Sequence, residues 1–279
     1  MNLFTPKSAK QKINGTDVYY MQWGNAQKEL FLFHGTFVDN ASLSWSELAP
    51  ELATRFKIIA PDMPGYGKSS STRSTPNLHS LEKFIESFIR SNAAKPVYAV
   101  AFGMNCSPLY DLAQRLPDLF EKICLIGWLP HSNTHDEDRV IRFFTRFPKA
   151  TSLFLSLPSL KENIFRHFAK SVFFDSKNIS EEFFAEYFRE FRSKRSIDTF
   201  SKLIKNEFQH RGTYAKELQA HNEQVPTGYI CGAFDYFNVS PLKPPPNLRH
   251  YFQIPNCGHW APVEKPHETA SIIGSFFEN

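Results

Sequence analysis

Four short stretches place residues of catalytic type directly after apolar runs. They are "FHGTF" (33–37), the turn inside "PVYAVAFGMNCSP" (96–108), "GAFDYF" (232–237) and "NCGHWAPVEKP" (256–266). An acid after one strand, Asp235, and an imidazole after the next, His259, can orient each other. The carboxylate then fixes the tautomer, and the ring becomes a group that moves a proton. A lone histidine is most often structural. One that follows Cys-Gly, precedes Trp-Ala-Pro and sits in a loop leading into a helix is a stronger candidate. The His34-Gly35 pair lets the backbone bend so that the Thr36 N–H points inward, as half of an oxyanion hole; by itself the pair is weak evidence. In the second stretch Val97–Val100 reads as a buried strand and Ala101–Asn105 as a sharp turn out of it. A tight strand-to-helix turn needs small residues beside its apex. Ala101 is small, and asparagine tolerates positive φ, so Asn105 can stand in for glycine. At the centre of this turn is Gly103. A fifth stretch, "DMPGYGKSS" (62–70), resembles a phosphate loop but has Asp62 where a glycine is required, and is read as a glycine- and proline-shaped turn.

The elements that must carry these loops are legible from periodicity. "ELFLFHG" (29–35), "FKIIAPD" (56–62), "VYAVAFG" (97–103), "ICLIGWL" (123–129), "TGYICGAFD" (227–235) and "RHYFQIP" (249–255) are continuous apolar runs, as expected for strands covered on both faces. Helical patterns lie between and after them at 43–54, 77–92, 104–116 and 264–277. Alternating strands and helices imply a mostly parallel sheet, with ligands at the carboxyl ends of its strands. The stretch 11–24, with its Asn-Gly-Thr turn, predicts an antiparallel hairpin at the sheet edge. Residues 131–210 break the rhythm. They are helical in pattern and hold half of the chain's 28 phenylalanines. They predict a helical cap between two core strands, its phenylalanines forming mainly the cap's own core and any excess lining an apolar pocket. The implied division is a first core segment at 1–130, a cap at 131–215 and a last core segment at 216–279.

Bulk properties exclude several classes. A net charge of +4 without a block of like charges is well short of a nucleic-acid footprint. No apolar run approaches a membrane span, and "MNLFTPKSAKQKING" lacks the apolar core of a signal peptide. Cys106, Cys124, Cys231 and Cys257 are scattered, without zinc or CxxC spacing, so neither a metal nor another cofactor is expected. Reduced cysteines in strand-like runs place the chain most simply in the cytoplasm. The sequons at Asn14, Asn40 and Asn178 carry little weight without a secretory route. Oligomeric state is not readable.

From residue 11 to the end the chain resembles the α/β-hydrolase superfamily, in its cap-containing branch. The markers are "HGTF", "DMPGYGKS", the "VYAVAFGMN" elbow, "GAFD" and "CGHW…EKP". The resemblance implies an α/β-hydrolase fold and a nucleophile–acid–histidine order, with Asp235 and His259 at the last two positions. It also implies a backbone oxyanion hole from Thr36 and Met104. His34, Phe37, Phe102, Asn105, Trp128 and Trp260 become candidates for the pocket wall. The family's elbow is usually G-x-S-x-G. With the strand "PVYAVA" behind it and Ala113 and Pro117 at the family's helix positions, its serine falls on Gly103. Ala101 and Asn105 replace both flanking glycines.

Glycine can neither attack a carbonyl nor be acylated, and losing a triad nucleophile costs about six powers of ten in kcat. Three readings follow. The first is a serine-independent hydrolase or lyase, acting on a small apolar acyl or keto substrate through His259 and Asp235. The second is a pseudo-hydrolase that binds an apolar ligand. The third is a conventional hydrolase with a displaced nucleophile: Cys106 or Ser107 on the helix past the turn, or Cys257 two residues before the histidine.

Overall fold

The computed structural model of the chain describes residues 4–36, 39–72, 75–128, 172–203, 205–206, 224–235 and 249–279. Among the described residues, eight strands form one sheet in the order β1-β2-β4-β3-β5-β6-β7-β8. β1 (Lys7–Ile13) and β2 (Thr16–Trp23) are the expected hairpin, and β2 also runs antiparallel to β4 (Lys57–Pro61). The hairpin turn is made by Asn14 and Gly15, at φ of 49° and 81°. Two consecutive positive φ values suit the right-handed twist of the paired strands. β3 (Glu29–Phe33), β4, β5 (Val97–Phe102), β6 (Phe120–Ile126), β7 (Thr227–Gly232) and β8 (His250–Ile254) pair in parallel. The continuous apolar runs therefore sit where both faces of the sheet are covered; every residue of β7 is buried.

The period-two geometry of a strand divides the core into two layers. On β5, Val100 and Phe102 face one cluster, while Val97, Ala99 and Ala101 face the other. The second layer is covered by α3 (Leu78–Asn92) and α4 (Cys106–Arg115). α3 starts at a reciprocal cap, in which the Asn77 carboxamide accepts from the Ser80 N–H and the Ser80 hydroxyl oxygen accepts from the Asn77 N–H. It buries Leu78, Leu81, Phe84, Ile85, Phe88 and Ile89 at helical spacing. Each such side chain contributes about 2 kcal/mol over its exposed state. The first layer is covered by the short helices α1 (Ala41–Trp45) and α2 (Ala49–Leu52), and by the last two, numbered below.

Most of the cap expected at 131–215 lies outside the described residues. Its described part, 172–203 and 205–206, is mainly helical, with α5 (Glu181–Phe191) and a further helical run over 194–203. Its aromatic side chains pack on the core. Phe173 stacks on Trp260 at 5.9 Å between ring centroids, and Phe183 and Tyr187 meet the same indole edge-on at 5.4 and 5.2 Å. Phe174 differs: it is exposed and lies 4.5 Å from the exposed ring of Phe234. The chain ends in α6 (Ala261–Glu264) and α7 (Pro266–Glu278). No helix among the described residues is long and apolar enough to cross a membrane.

Candidate functional site

The loops singled out by their chemistry converge at the carboxyl ends of β3, β5, β6, β7 and β8. Asp235 follows β7 and His259 follows β8, so parallel pairing of these neighbours brings the two loops together. His259 Nδ1 lies 2.9 Å from both carboxylate oxygens of Asp235. Asp235 is buried and accepts, so the proton is on Nδ1 and Nε2 is the nitrogen turned away from the acid. The loop between the strands and the ring is held by backbone. The His259 N–H donates to Val172 C=O at 2.8 Å, and the Gly258 N–H donates to Glu264 Oε2 at 2.6 Å.

The ring itself rests on Gly127 and Phe102. Gly127, one residue past β6, has φ +66°, and a Cβ added there would stand 2.9 Å from His259 Cε1. Only a residue without a side chain lets the imidazole come so close. Phe102, the last residue of β5, lies 5.1 Å from His259 and 5.8 Å from Trp260 between ring centroids. Gly127 went unremarked in the sequence reading. Its signal was present: a glycine inside the apolar run "ICLIGWL" marks close approach of another group.

Next comes the turn at Gly103. It has φ +59°, and among the described residues a Cβ built on it meets nothing within 4 Å beyond its two chain neighbours. A three-residue 3-10 turn, Gly103–Asn105, leads into α4. Met104, in the first turn, has no intrahelical acceptor for its N–H. Thr36 lies in a loop in which several polar backbone groups are occupied. His34 C=O accepts from Asn105 Nδ2 at 2.5 Å, the Gly35 N–H donates to Asp39 Oδ2 at 2.6 Å, and Gly35 C=O accepts from His34 Nδ1 at 2.6 Å. Thr36 C=O accepts from the Tyr66 hydroxyl. Among the described residues, no acceptor is seen for the Thr36 N–H.

Several expected site residues have other roles. His34 is not a pocket wall. It is fully buried, with Nε2 accepting from the Met63 N–H at 2.8 Å, so both ring nitrogens serve the backbone. Burial lowers its pKa to about 3, the Gly35 bond opposing, and the ring is neutral. At 3.8 Å its contact with Asp39 is too long for a hydrogen bond. Trp260 is also buried; its Nε1–H donates to Ser44 Oγ at 3.2 Å, and it cements the helical segment to the core. Asn105 is buried and ties the turn to the His34 carbonyl, while its Oδ1 finds no partner among the described residues. Trp128 is half-buried beside Tyr110, at 5.9 Å. Phe37 lies outside the described residues.

The thiols do not replace a hydroxyl at the turn. Cys106 is fully buried, its Sγ–H directed at Ala101 C=O (3.2 Å) and Ile126 C=O (3.4 Å), under the turn rather than above it. Burial pushes its thiol well above the ordinary range, and does the same for Cys257. A protonated, enclosed thiol is a poor nucleophile, which removes the main displaced-nucleophile candidate. Ser107 is buried as well.

Sequence reasoning missed a buried acidic group beside the Thr36 loop. Asp39 accepts from Gly35 N–H, Asn40 N–H and Ser44 Oγ–H. Burial still raises its pKa to about 8 against those three bonds, with Glu190 adding repulsion. Asp62 is raised to about 6, also by burial first, although it accepts from Lys68 N–H and Ala41 N–H. Glu190 reaches down from α5 to accept from Asn40 Nδ2 (3.3 Å) and Gly67 N–H (3.1 Å). No local pattern announces that these three acids meet.

The model of a family described as the alpha/beta hydrolase fold matches residues 29–266, and the chain belongs to that family. It is similar to an uncharacterized hydrolase, YugF, of Bacillus subtilis (strain 168), at 25% identity over 95% of this chain and 96% of that protein. It is also similar to a soluble epoxide hydrolase of Corynebacterium sp. (strain C12), at 22% identity over 95% of each. Among solved structures, a 2-hydroxy-6-oxo-6-phenylhexa-2,4-dienoate hydrolase from Rhodococcus sp. strain RHA1 superposes with a TM-score of 0.76. It is 17% identical, over 99% of this chain and all of that one.

Proposed function

We propose that the chain is a hydrolase that works without a side-chain nucleophile. Gly103 stands at the family's nucleophile position, and a water takes the place of the missing hydroxyl and attacks a small apolar acyl or keto substrate directly. His259 Nε2 takes the proton from that water and returns it to the leaving group, while Asp235 steadies the imidazolium. The Thr36 and Met104 N–H groups receive the developing oxyanion. The exposed Phe174–Phe234 pair, of which Phe234 directly precedes Asp235, offers an apolar approach. The observation that carries this reading is the His259–Asp235 pair, intact at 2.9 Å and poised on Gly127, while the turn at Gly103 carries no side chain. The similarity to two proteins named as hydrolases supports the reaction class.

The test compares the parent with His259→Ala and Gly103→Ser on a panel of p-nitrophenyl acyl esters and β-keto acids, with intact mass read in parallel. The parent is expected to turn over at least one substrate with no acylated protein. His259→Ala should lose about 100- to 10,000-fold, the range of general-base catalysis. An inert parent together with a Gly103→Ser variant that gains esterase activity overturns the proposal and leaves a ligand-binding frame.

A further inference from the structure

Gly258, directly before His259, is where three separate segments cross. A Cβ added to it would stand 2.5 Å from the Val172 carbonyl oxygen and 2.7 Å from the Phe174 nitrogen, and a Cβ on Gly232, the last residue of β7, would collide with the Gly258 oxygen. Backbones approach this closely only where side chains are missing. Hydrogen bonds follow the same pattern. The His259 N–H donates to Val172 C=O at 2.8 Å, and the Phe234 N–H donates to Cys257 C=O at 2.9 Å. The loop after β8 is thus laid between segment 172–175 and the loop that carries Asp235. One side chain then joins two of these pieces. Glu264, in α6, accepts from the Gly258 N–H through Oε2 at 2.6 Å and from the Asp175 N–H through Oε1 at 2.9 Å. Hydrogen bonds to an ionised carboxylate are stronger than neutral ones. The residue is rooted beside the imidazole, because the Glu264 N–H donates to Trp260 C=O at 2.9 Å. With Phe173 stacked on the Trp260 indole, segment 172–175 is gripped at Val172, Phe173 and Asp175. The hydrogen bonds of this brace are made by the backbone of the histidine loop, not by the imidazole. They fix the place from which the ring reaches Asp235 at 2.9 Å.

We infer that Glu264 is a positioning residue: by tying Gly258 to Asp175 it makes the alignment of His259 on Asp235 depend on the seating of segment 172–175. The inference rests on the reading of the His259–Asp235 pair given above. Displacing segment 172–175 displaces the loop that holds the imidazole, through Val172 C=O and through the Glu264 carboxylate. Removing the carboxylate deprives two N–H groups of their acceptor and lets the ring drift. Glu264→Ala should lower kcat about 100-fold, as for a misplacement near 1 Å, with KM within about threefold of the parent. Glu264→Gln keeps one acceptor oxygen for the two donors and should fall between Ala and the parent.

The experiment uses the full chain, both Glu264 variants, His259→Ala and the double variant Glu264→Ala/His259→Ala. Turnover is measured on the p-nitrophenyl ester panel, and the His259 Nδ1 proton is followed by NMR, its resonance assigned by its loss in His259→Ala. If Glu264 acts through the imidazole, its removal costs turnover in the parent but changes it by less than about twofold in the His259→Ala background. The Nδ1 proton resonance should shift or broaden in Glu264→Ala. A merely structural Glu264 lowers the urea midpoint and leaves both readouts at their parental values. Equal losses in the two backgrounds, or an unchanged resonance, overturn the inference and leave the hydrolase reading standing. A parent inert on the whole panel overturns the hydrolase reading, and the resonance then decides the positioning role by itself. If Glu264→Ala does not fold, amide exchange in the parent decides. The Asp175, Gly258 and His259 N–H groups, opening as one unit, should then show protection factors within about threefold of one another, and independent values overturn the inference.

Discussion

Replacing His34 by glutamine tests the claim that this histidine is a neutral backbone tie. Its Nε2 accepts from the Met63 N–H while the ring is fully buried, so protonation would both bury a charge and turn that acceptor into a donor. Its folded pKa is lowered to about 3 from 6.5. With the folded value depressed, the unfolded chain binds the extra proton between those two values. The stabilisation is fully present above pH 6.5 and is lost as pH falls towards 3. Each pH unit below 6.5 removes about 1.4 kcal/mol, so near pH 4 the loss is about 3 kcal/mol. The carboxamide of the His34→Gln variant keeps an acceptor for Met63 but does not titrate. Asp39 and Asp62 titrate in both proteins and cancel in the comparison. Urea unfolding near pH 7.5 and near pH 4 is the assay. The variant should start less stable, by about 1–3 kcal/mol for the imperfectly replaced bonds. It should then lose about 3 kcal/mol less than the parent on acidification. Parallel losses in the two proteins would falsify the neutral, backbone-tied assignment of His34.

Gly127→Ala puts a Cβ 2.9 Å from His259 Cε1 at φ +66°. The left-handed backbone costs about 1–2 kcal/mol, read as a lower urea midpoint. The ring must leave Asp235, and turnover on the substrate panel should fall about 100-fold, as for a displacement near 1 Å; unchanged turnover would show that the pair does not act in this geometry. Cys106→Ser keeps a donor for Ala101 C=O and Ile126 C=O and should cost only about 1 kcal/mol. It should leave turnover within a few-fold, and the parent should resist iodoacetamide. Loss of turnover on alkylation of Cys106 would restore the thiol as nucleophile.

The fold and its loops were legible because their signals are local. Continuous apolar runs declared the buried parallel strands, the Asn-Gly pair declared the hairpin, and helical spacing declared α3. Asp235 and His259 were legible for the same reason: each follows directly on a strand, and neighbouring parallel strands must bring their carboxyl ends together. Gly103, too, could be placed at its turn by counting from β5. The sequence by itself could not distinguish His34 from a pocket residue, nor Cys106 from a displaced nucleophile. Those assignments depend on where a ring or a thiol points, and that is set by Met63, Gly35, Ala101 and Ile126, contributed by different elements. The same holds for Asp39, Asp62 and Glu190, whose raised or repelled charges exist only because α5 closes over the loops after β3 and β4. Local pattern determines which segments are strands and where their ends fall. Burial and partnership are sums over the whole packed chain, and the tertiary structure alone decided which polar groups are spent inside the fold.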